Sequence, residues 1–231
     1  MKRIGIVGGM GPESTIDYYR ELINGFKNEK GDMNYPEIII FSINISQFLK
    51  LLKEKKYDEV EAFLSEKINV LKNAGAEFAA ISANAPHLLF DRLKKRSPLP
   101  LISIVEATCR KALKQGLKRT GLLGTGFTMD STFYQEVFAK NGIDVVVPDK
   151  EDKEYINNKL FSEIELGIFR EETQEYLEQI IDRMVKQKKI DSVILGCTEL
   201  PLILKNKNYS GVPVLNTTII HVDEIIKYCL K

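Results

Sequence analysis

Apolar, β-branched runs of four to six residues alternate along the chain with longer stretches whose apolar positions recur at helical spacing. The runs predict strands at 3–8, 37–42, 77–82, 100–103, 119–124, 143–147, 191–196 and 212–215. The amphipathic stretches predict helices at 14–28, 57–74, 87–95, 104–115, 129–140, 150–167, 172–188 and 218–230, with a further short helix after "GCTE". Ser103 and Glu106 are spaced as a capping box for the fourth helix, and Gly116 stands just past its end. Unbroken strand–helix alternation is the mark of an α/β fold with parallel sheets flanked by helices.

Two segments recur. "KRIGIVGGMGPESTIDYY" (2–19) lines up with "KRTGLLGTGFTMDSTFYQ" (118–135): Lys2, Arg3, Gly5 and Gly8 match Lys118, Arg119, Gly121 and Gly124, 116 residues further on. A one-residue drift then brings Ser14–Thr15 onto Ser131–Thr132. "ISANAPH" (81–87) matches "LGCTELP" (195–201) at a separation of 114, which aligns Ala83 with Cys197. Two matches at nearly one offset predict two related α/β halves. The competing explanation is that any strand-to-helix turn enriches Gly, Ser and Thr. On the duplicated reading the first half comprises 1–103 plus 209–231, and the second 104–208. "NKNYSGVP" reads as the linker back to the first half.

Composition narrows the functional classes. The chain has 231 residues, 44% of them hydrophobic, enough for one large domain or two small ones. A net charge of +1 gives no bulk electrostatic case for nucleic acid or anionic membrane. The basic clusters "KEKK" (53–56), "KKR" (94–96) and "KQKK" (186–189) fall near helix ends, where they complement the macrodipole. Cys109, Cys197 and Cys229 form no CxxC and no paired framework, which suits a reducing compartment. No apolar run approaches the ~20 residues of a membrane span. The strand-like "RIGIVGG" leaves no room for a signal peptide. These features predict a soluble cytoplasmic protein.

"GIVGGMGPES" (5–14) invites a dinucleotide-binding reading and fails it. Ser14 stands where the last glycine belongs, Pro12 occupies the helix entry, and "IIIFSIN" ends without the acidic residue that would hold a ribose. What remains is a glycine-rich turn that either lets backbone N–H groups approach a small ligand or is simply tight. "GTGFTMDST" (124–132) offers the Thr125 and Thr128 hydroxyls near a helix start, as a seat for a carboxylate or as caps. In "GCTELP", Cys197 closes an apolar strand and precedes a helix start, a placement that favours thiolate. Thr198 adds a hydroxyl and Glu199 a carboxylate to orient or reprotonate it. The plain alternative is that Cys197 is a small buried hydrophobe. His87 lines a site or caps its helix, neither His87 nor His221 has metal-ligand spacing, and Cys109 and Cys229 read as packing residues.

Taken together, "MKRIGIVGGMGPEST", "NAPH", "SIVEAT", "GLLGTGFTM", "VVVPD" and "VILGCTELP" resemble the cofactor-independent aspartate/glutamate racemases, in order and over essentially the whole chain. Glu199 after Cys-Thr is similar to the aspartate racemase branch; glutamate racemases usually carry His there. The resemblance implies two pseudo-symmetric, Rossmann-like parallel-sheet domains with the active site in the cleft between them, usually a homodimer, and no cofactor or metal. It also implies two thiols acting on opposite faces of the amino acid's Cα. The α-carboxylate binders map onto Asn84, Thr125 and Thr198, with backbone groups around Met10 and Ala85. Such donors stabilise the enolate-like oxygen that carbanion formation requires.

Three departures stand out. The family's first cysteine is Ala83, and its threonine neighbour is Ala85. The family pattern also implies an Arg after the second strand and a Lys in the "ELG" region, where this chain has "NISQFLKLL" and Glu165. A buried Glu165 facing a substrate carboxylate would repel it, whereas a Glu165 turned to solvent would not matter. The resulting expectation is a one-thiol racemase-family enzyme centred on Cys197, with an amino-acid substrate that is not necessarily aspartate. A single-cysteine decarboxylase of the same superfamily, with Phe48 and Leu49 helping to form an apolar pocket, and an inactive amino-acid-binding protein are the alternatives.

Overall fold

The computed structural model describes all residues, Met1–Lys231. The chain forms two compact units, Met1–Ile104 with His221–Lys231, and Val105–Ile220.

In the first unit, strands β1 (Ile4–Gly8), β2 (Ile38–Ser42), β3 (Phe78–Ile81) and β4 (Leu101–Ile102) form a parallel sheet in the order β2-β1-β3-β4. Helices α1 (Pro12–Lys30), α2 (Ile45–Lys53), α3 (Tyr57–Asn73) and α4 (Phe90–Arg96) fill the crossovers. Pro12 opens α1, where its missing N–H costs nothing, and Gly31 closes it in the left-handed region. On one face Ile4, Ile6, Phe78 and Ala80 pack against Tyr18, Leu22 and Phe26 of α1 and against Val222, Ile225 and Ile226 from the C-terminal segment.

In the second unit, β5 (Arg119–Leu123), β6 (Asp144–Val146), β7 (Ser192–Leu195), β8 (Asn208–Tyr209) and β9 (Val212–Asn216) are ordered β6-β5-β7-β9-β8. All pairings are parallel except β8–β9. Helix α5 (Ile104–Lys114) leads in from the first unit, with Gly116 beyond it at φ 71°. Then follow α6 (Gly126–Met129), α7 (Phe133–Ala139), α8 (Lys150–Ser162), α9 (Glu171–Lys188), α10 (Leu200–Ile203) and α11 (Thr217–Cys229). The core gathers Leu123, Ile156, Leu160, Leu177, Ile180, Val193 and Leu195.

The sheets share one wiring: β2-β1-β3-β4 in the first corresponds to β6-β5-β7-β9 in the second. All eight expected strands are present; the expected helix 129–140 is replaced by α6 and α7, and two further elements were not foreseen. Helix α2 starts at Asn44, whose side chain accepts the Ser46 N–H at 3.0 Å. Strand β8 arises because Ser210 (φ 49°) and Gly211 (φ 81°) make a tight hairpin turn of "NYSGVP". The expected division therefore needs correction at 209–220. Val214, Leu215 and Asn216 pair with Val193, Ile194 and Leu195, so β9 lies in the second sheet. The hairpin holds this segment against β7, and only the chain from His221 onward returns to the first unit. No helix is long and apolar enough to cross a membrane.

Candidate active site

Cys197 stands just beyond the end of β7, a strand buried throughout. Thr217 Oγ1 donates to the Leu195 carbonyl at 2.8 Å, and the Gly196 N–H donates to the Leu123 carbonyl at 2.6 Å. Glycine is required here by close approach. A Cβ on Gly124 would meet the Gly196 carbonyl oxygen at 2.9 Å, and one on Gly196 would meet the Leu123 carbonyl oxygen at 3.0 Å. This contact lays the 124–128 turn beside the 196–199 turn. Thr128 is buried against both glycines, and its Oγ1 lies 3.3 Å from that of the half-buried Thr125. Asn157 Oδ1 accepts the Gly126 N–H at 2.7 Å and pins the turn to α8.

The first unit repeats this frame. The Ser82 N–H donates to the Val7 carbonyl at 3.0 Å, the counterpart of the Gly196–Leu123 bond. Thr15 packs on Gly8, accepts the Gly9 N–H at 2.8 Å and lies 3.4 Å from the Ser82 hydroxyl. Thr15 thus does what Thr128 does in the second unit. Its expected alignment with Thr132 is superseded, because Thr132 is exposed and donates to Glu136 at 2.5 Å. Met10 is buried in the turn after β1. Ala83 and Asn84 are buried just beyond β3, and Ala85 is half-buried at the start of a 3-10 turn, Ala85–Leu89.

His87 is locked inside that 3-10 turn. Its Nε2 lies 3.2 Å from the Ile104 N–H, which can only donate, so Nδ1 carries the proton and donates to the Ala83 carbonyl at 3.0 Å. Burial, then the neighbouring His221, hold the imidazole neutral, with its pKa down at about 3. His221 has the opposite tautomer: Nε2 donates to the Ile102 carbonyl at 2.9 Å, and Nδ1 accepts the Tyr18 hydroxyl at 2.8 Å. Cys109 and Cys229 are buried packing residues, the latter donating to the Lys2 carbonyl at 3.1 Å.

The chemistry concentrates in the second unit. The Cys197 thiol donates to Glu199 Oε2 at 3.1 Å, the same oxygen accepts the Thr198 hydroxyl at 3.0 Å, and Glu165 Oε1 lies 3.8 Å from the sulfur. Glu165 comes from a 3-10 turn, Ile164–Leu166, between α8 and α9. It turns inward, so the solvent-facing expectation is overturned. No spacing signal could have revealed it, because it reaches Cys197 from a separate element.

The expected thiolate is likewise corrected. Burial first, then the Glu199 and Glu165 carboxylates, push the Cys197 thiol well above its ordinary value. Only the backbone N–H of Glu199 pulls the other way, and α10 is four residues long, too short to offset two carboxylates. Burial and the Glu199 charge raise Glu165 to about 8. At neutral pH the trio therefore holds a protonated thiol and a protonated Glu165. Its ligand atoms lie within 4.8 Å of one another, the one grouping with the span of a metal site.

The chain thus consists of two parallel-sheet units with matching strand-end turns, one of which presents a thiol to a carboxylate. Residues 7–225 match the Asp/Glu/hydantoin racemase family, and the chain belongs to it. It is 26% identical over 218 residues to the broad specificity amino-acid racemase RacX of Bacillus subtilis, covering 93% of this chain and 92% of that protein. The structure is similar to that of an aspartate racemase homologue from Pyrococcus horikoshii, with a TM-score of 0.86 and 37% identity over the whole of both chains. The Picrophilus torridus aspartate racemase shares the fold, with a TM-score of 0.78 at 19% identity, over 100% of this chain and 95% of that one.

Proposed function

We propose that this protein is a pyridoxal-independent amino-acid racemase-family enzyme that moves the Cα proton with one thiol, Cys197, while Glu199 takes and returns the thiol proton. The observation that carries this reading is the 3.1 Å contact between Cys197 Sγ and Glu199 Oε2. Transfer of the proton to Glu199 makes the thiolate that abstracts the Cα proton; the bonding pair left behind delocalises into the substrate carboxylate. Thr198, with Thr125 and Thr128 on the adjoining turn, supplies hydroxyl donors where that negative charge grows. The thiol formed on sulfur then returns its proton to the same face.

Ala83 follows β3 in the first unit as Cys197 follows β7 in the second, so the first unit carries a methyl at the position where the second carries an acid/base. Glu165 offers no cation to a side-chain carboxylate, and the Glu199 charge close by opposes one. The likeness to a broad specificity amino-acid racemase supports a substrate range not confined to one amino acid. A protonated resting thiol also suits a decarboxylase that protonates an enediolate. The Glu199 charge beside it, with no cation in the trio, however, opposes the dianionic malonate such an enzyme must bind.

The test is deuterium uptake at Cα in heavy water from both enantiomers of the common amino acids. Exchange from one enantiomer, lost in Cys197→Ser, is expected. Equal exchange from both contradicts the one-thiol scheme. Binding without exchange makes the chain a binding protein, and carbon dioxide release from disubstituted malonates makes it a decarboxylase.

A further inference from the structure

Glu165 is an acid without a cation. Two other inward-turned carboxylates of the second unit have one: Glu163 is bonded to Lys159 and Thr173, and Asp152 accepts both Arg183 Nε and Nη2, at 3.1 and 2.6 Å. Glu165 forms no ion pair; its one hydrogen-bonding contact is the Cys197 thiol at 3.8 Å. A half-buried carboxyl in that state keeps its proton at neutral pH because burial and Glu199 disfavour its charge.

Depth orders the site. Glu199 is 1% exposed, Thr198 2% and Cys197 6%, Glu165 is half-buried, and Leu166, the next residue, is 67% exposed. On the reading proposed above, Cα meets the sulfur at the deep end, where the three threonine hydroxyls serve the α-carboxylate. The group that extends outward past the sulfur is then the substrate side chain, and Glu165 is the polar group it meets.

We propose that Glu165 is a specificity-determining residue that pairs with the positively charged side chain of a basic amino acid, so that the preferred substrates are of the lysine and ornithine class. This rests on the amino-acid reading of the Cys197 site and names its substrate class. An ammonium arriving beside Glu165 favours its charged form, so the carboxyl loses its proton as the ligand binds.

The experiment is calorimetric titration of the full-length protein at pH 7 with both enantiomers of lysine, norleucine and glutamate, in two buffers of different ionisation enthalpy. Norleucine matches lysine in its aliphatic stem and lacks the side-chain charge, so the α-ammonium common to both cancels in the ratio. Lysine is expected to bind about tenfold or more tightly than norleucine, as a charge-assisted hydrogen bond of this kind allows. Lysine binding should also release more protons than norleucine binding, and in Glu165→Gln the lysine-to-norleucine ratio should fall toward one. Equal affinities, a lysine preference that survives Glu165→Gln, or a loss of lysine and norleucine in equal measure, which would place the α-ammonium on Glu165, each overturn the proposal. In all three cases Cα exchange of any amino acid leaves the enzymatic reading standing. Absence of both binding and exchange with every amino acid overturns that reading and this proposal with it.

Discussion

The thiol of Cys197 donates to Oε2 of Glu199, two residues further along the chain, at 3.1 Å. Because that oxygen also accepts the Thr198 hydroxyl at 3.0 Å, its position is fixed by two donors from the same turn. Glu199→Gln keeps the shape and removes the proton acceptor. Cα deuterium exchange should fall by about 10²-fold or more, the usual worth of a positioned base. Cys197→Ser should bring it to background. An exchange rate unchanged in Glu199→Gln would remove Glu199 from the mechanism.

A thiol held protonated is a slow nucleophile. In the native protein at pH 8, Cys197 should react with iodoacetamide more slowly than a free cysteine, since burial and two carboxylates raise its pKa. Glu165→Gln removes one of those charges and should speed alkylation of this residue, followed by peptide mass spectrometry. Cys109 and Cys229, raised mainly by burial, serve as internal references. Fast labelling of Cys197 in the unmodified protein would contradict the protonated resting state.

Two buried groups give stability opposite pH slopes. Glu165, raised from 4.5 to about 8, keeps its proton while the unfolded chain loses one, so its contribution is whole below pH 4.5 and is lost as pH climbs toward 8. His87, lowered from 6.5 to about 3, refuses a proton that the unfolded chain accepts, so stability is lost as pH falls from 6.5 toward 3. Each effect is on the order of a few kcal/mol at most. Denaturant titrations across pH 3–9 should show Glu165→Gln flattening the alkaline limb and His87→Gln the acid limb. An alkaline limb left unchanged in Glu165→Gln would mean that the carboxyl is ionised at rest.

Much of this architecture was legible in the apolar pattern, because buried parallel strands such as "RIGIVG" and "DSVILG" read as continuous hydrophobic runs. The alignment of Ala83 with Cys197 was legible too, since both follow the same strand-end turn. Three things were not. The α2 start depends on one Asn44 cap; β9 looked like a returning strand until the Ser210–Gly211 turn placed it; and the charge state of Cys197 depends on Glu165, brought in by folding alone. The "SG" pair was an available turn signal for the hairpin. For Glu165 the resemblance marked the position, but nothing in the local sequence told whether the side chain turns inward.

Close backbone contact makes Gly124 a stability test independent of chemistry. In Gly124→Ala the new Cβ would sit 2.9 Å from a backbone oxygen that no rotamer change can move. A loss of about 1–3 kcal/mol is expected from chemical denaturation, the range for overpacked sites. A neutral effect would show that the two turns separate easily.

Ala83→Cys puts a thiol at the strand-end position that Cys197 holds in the second unit. Buried Ala83 stands directly before Asn84, and His87 fixes its carbonyl. The change is expected to bring Cα exchange from the second enantiomer, measured by the heavy-water assay, without loss of exchange from the first. No gain would mean that the missing thiol is not what limits the second face.

The bonds from Ser82 to Val7 and from Gly196 to Leu123 are made by main-chain atoms alone, immediately ahead of Ala83 and Cys197. Neither depends on the residue displayed just after it. A scaffold anchored in this way is indifferent to its own reactive groups, so one copy can fall silent while its twin stays armed. The reaction repertoire of such a lineage can then be rewritten one residue at a time, with no new fold to evolve.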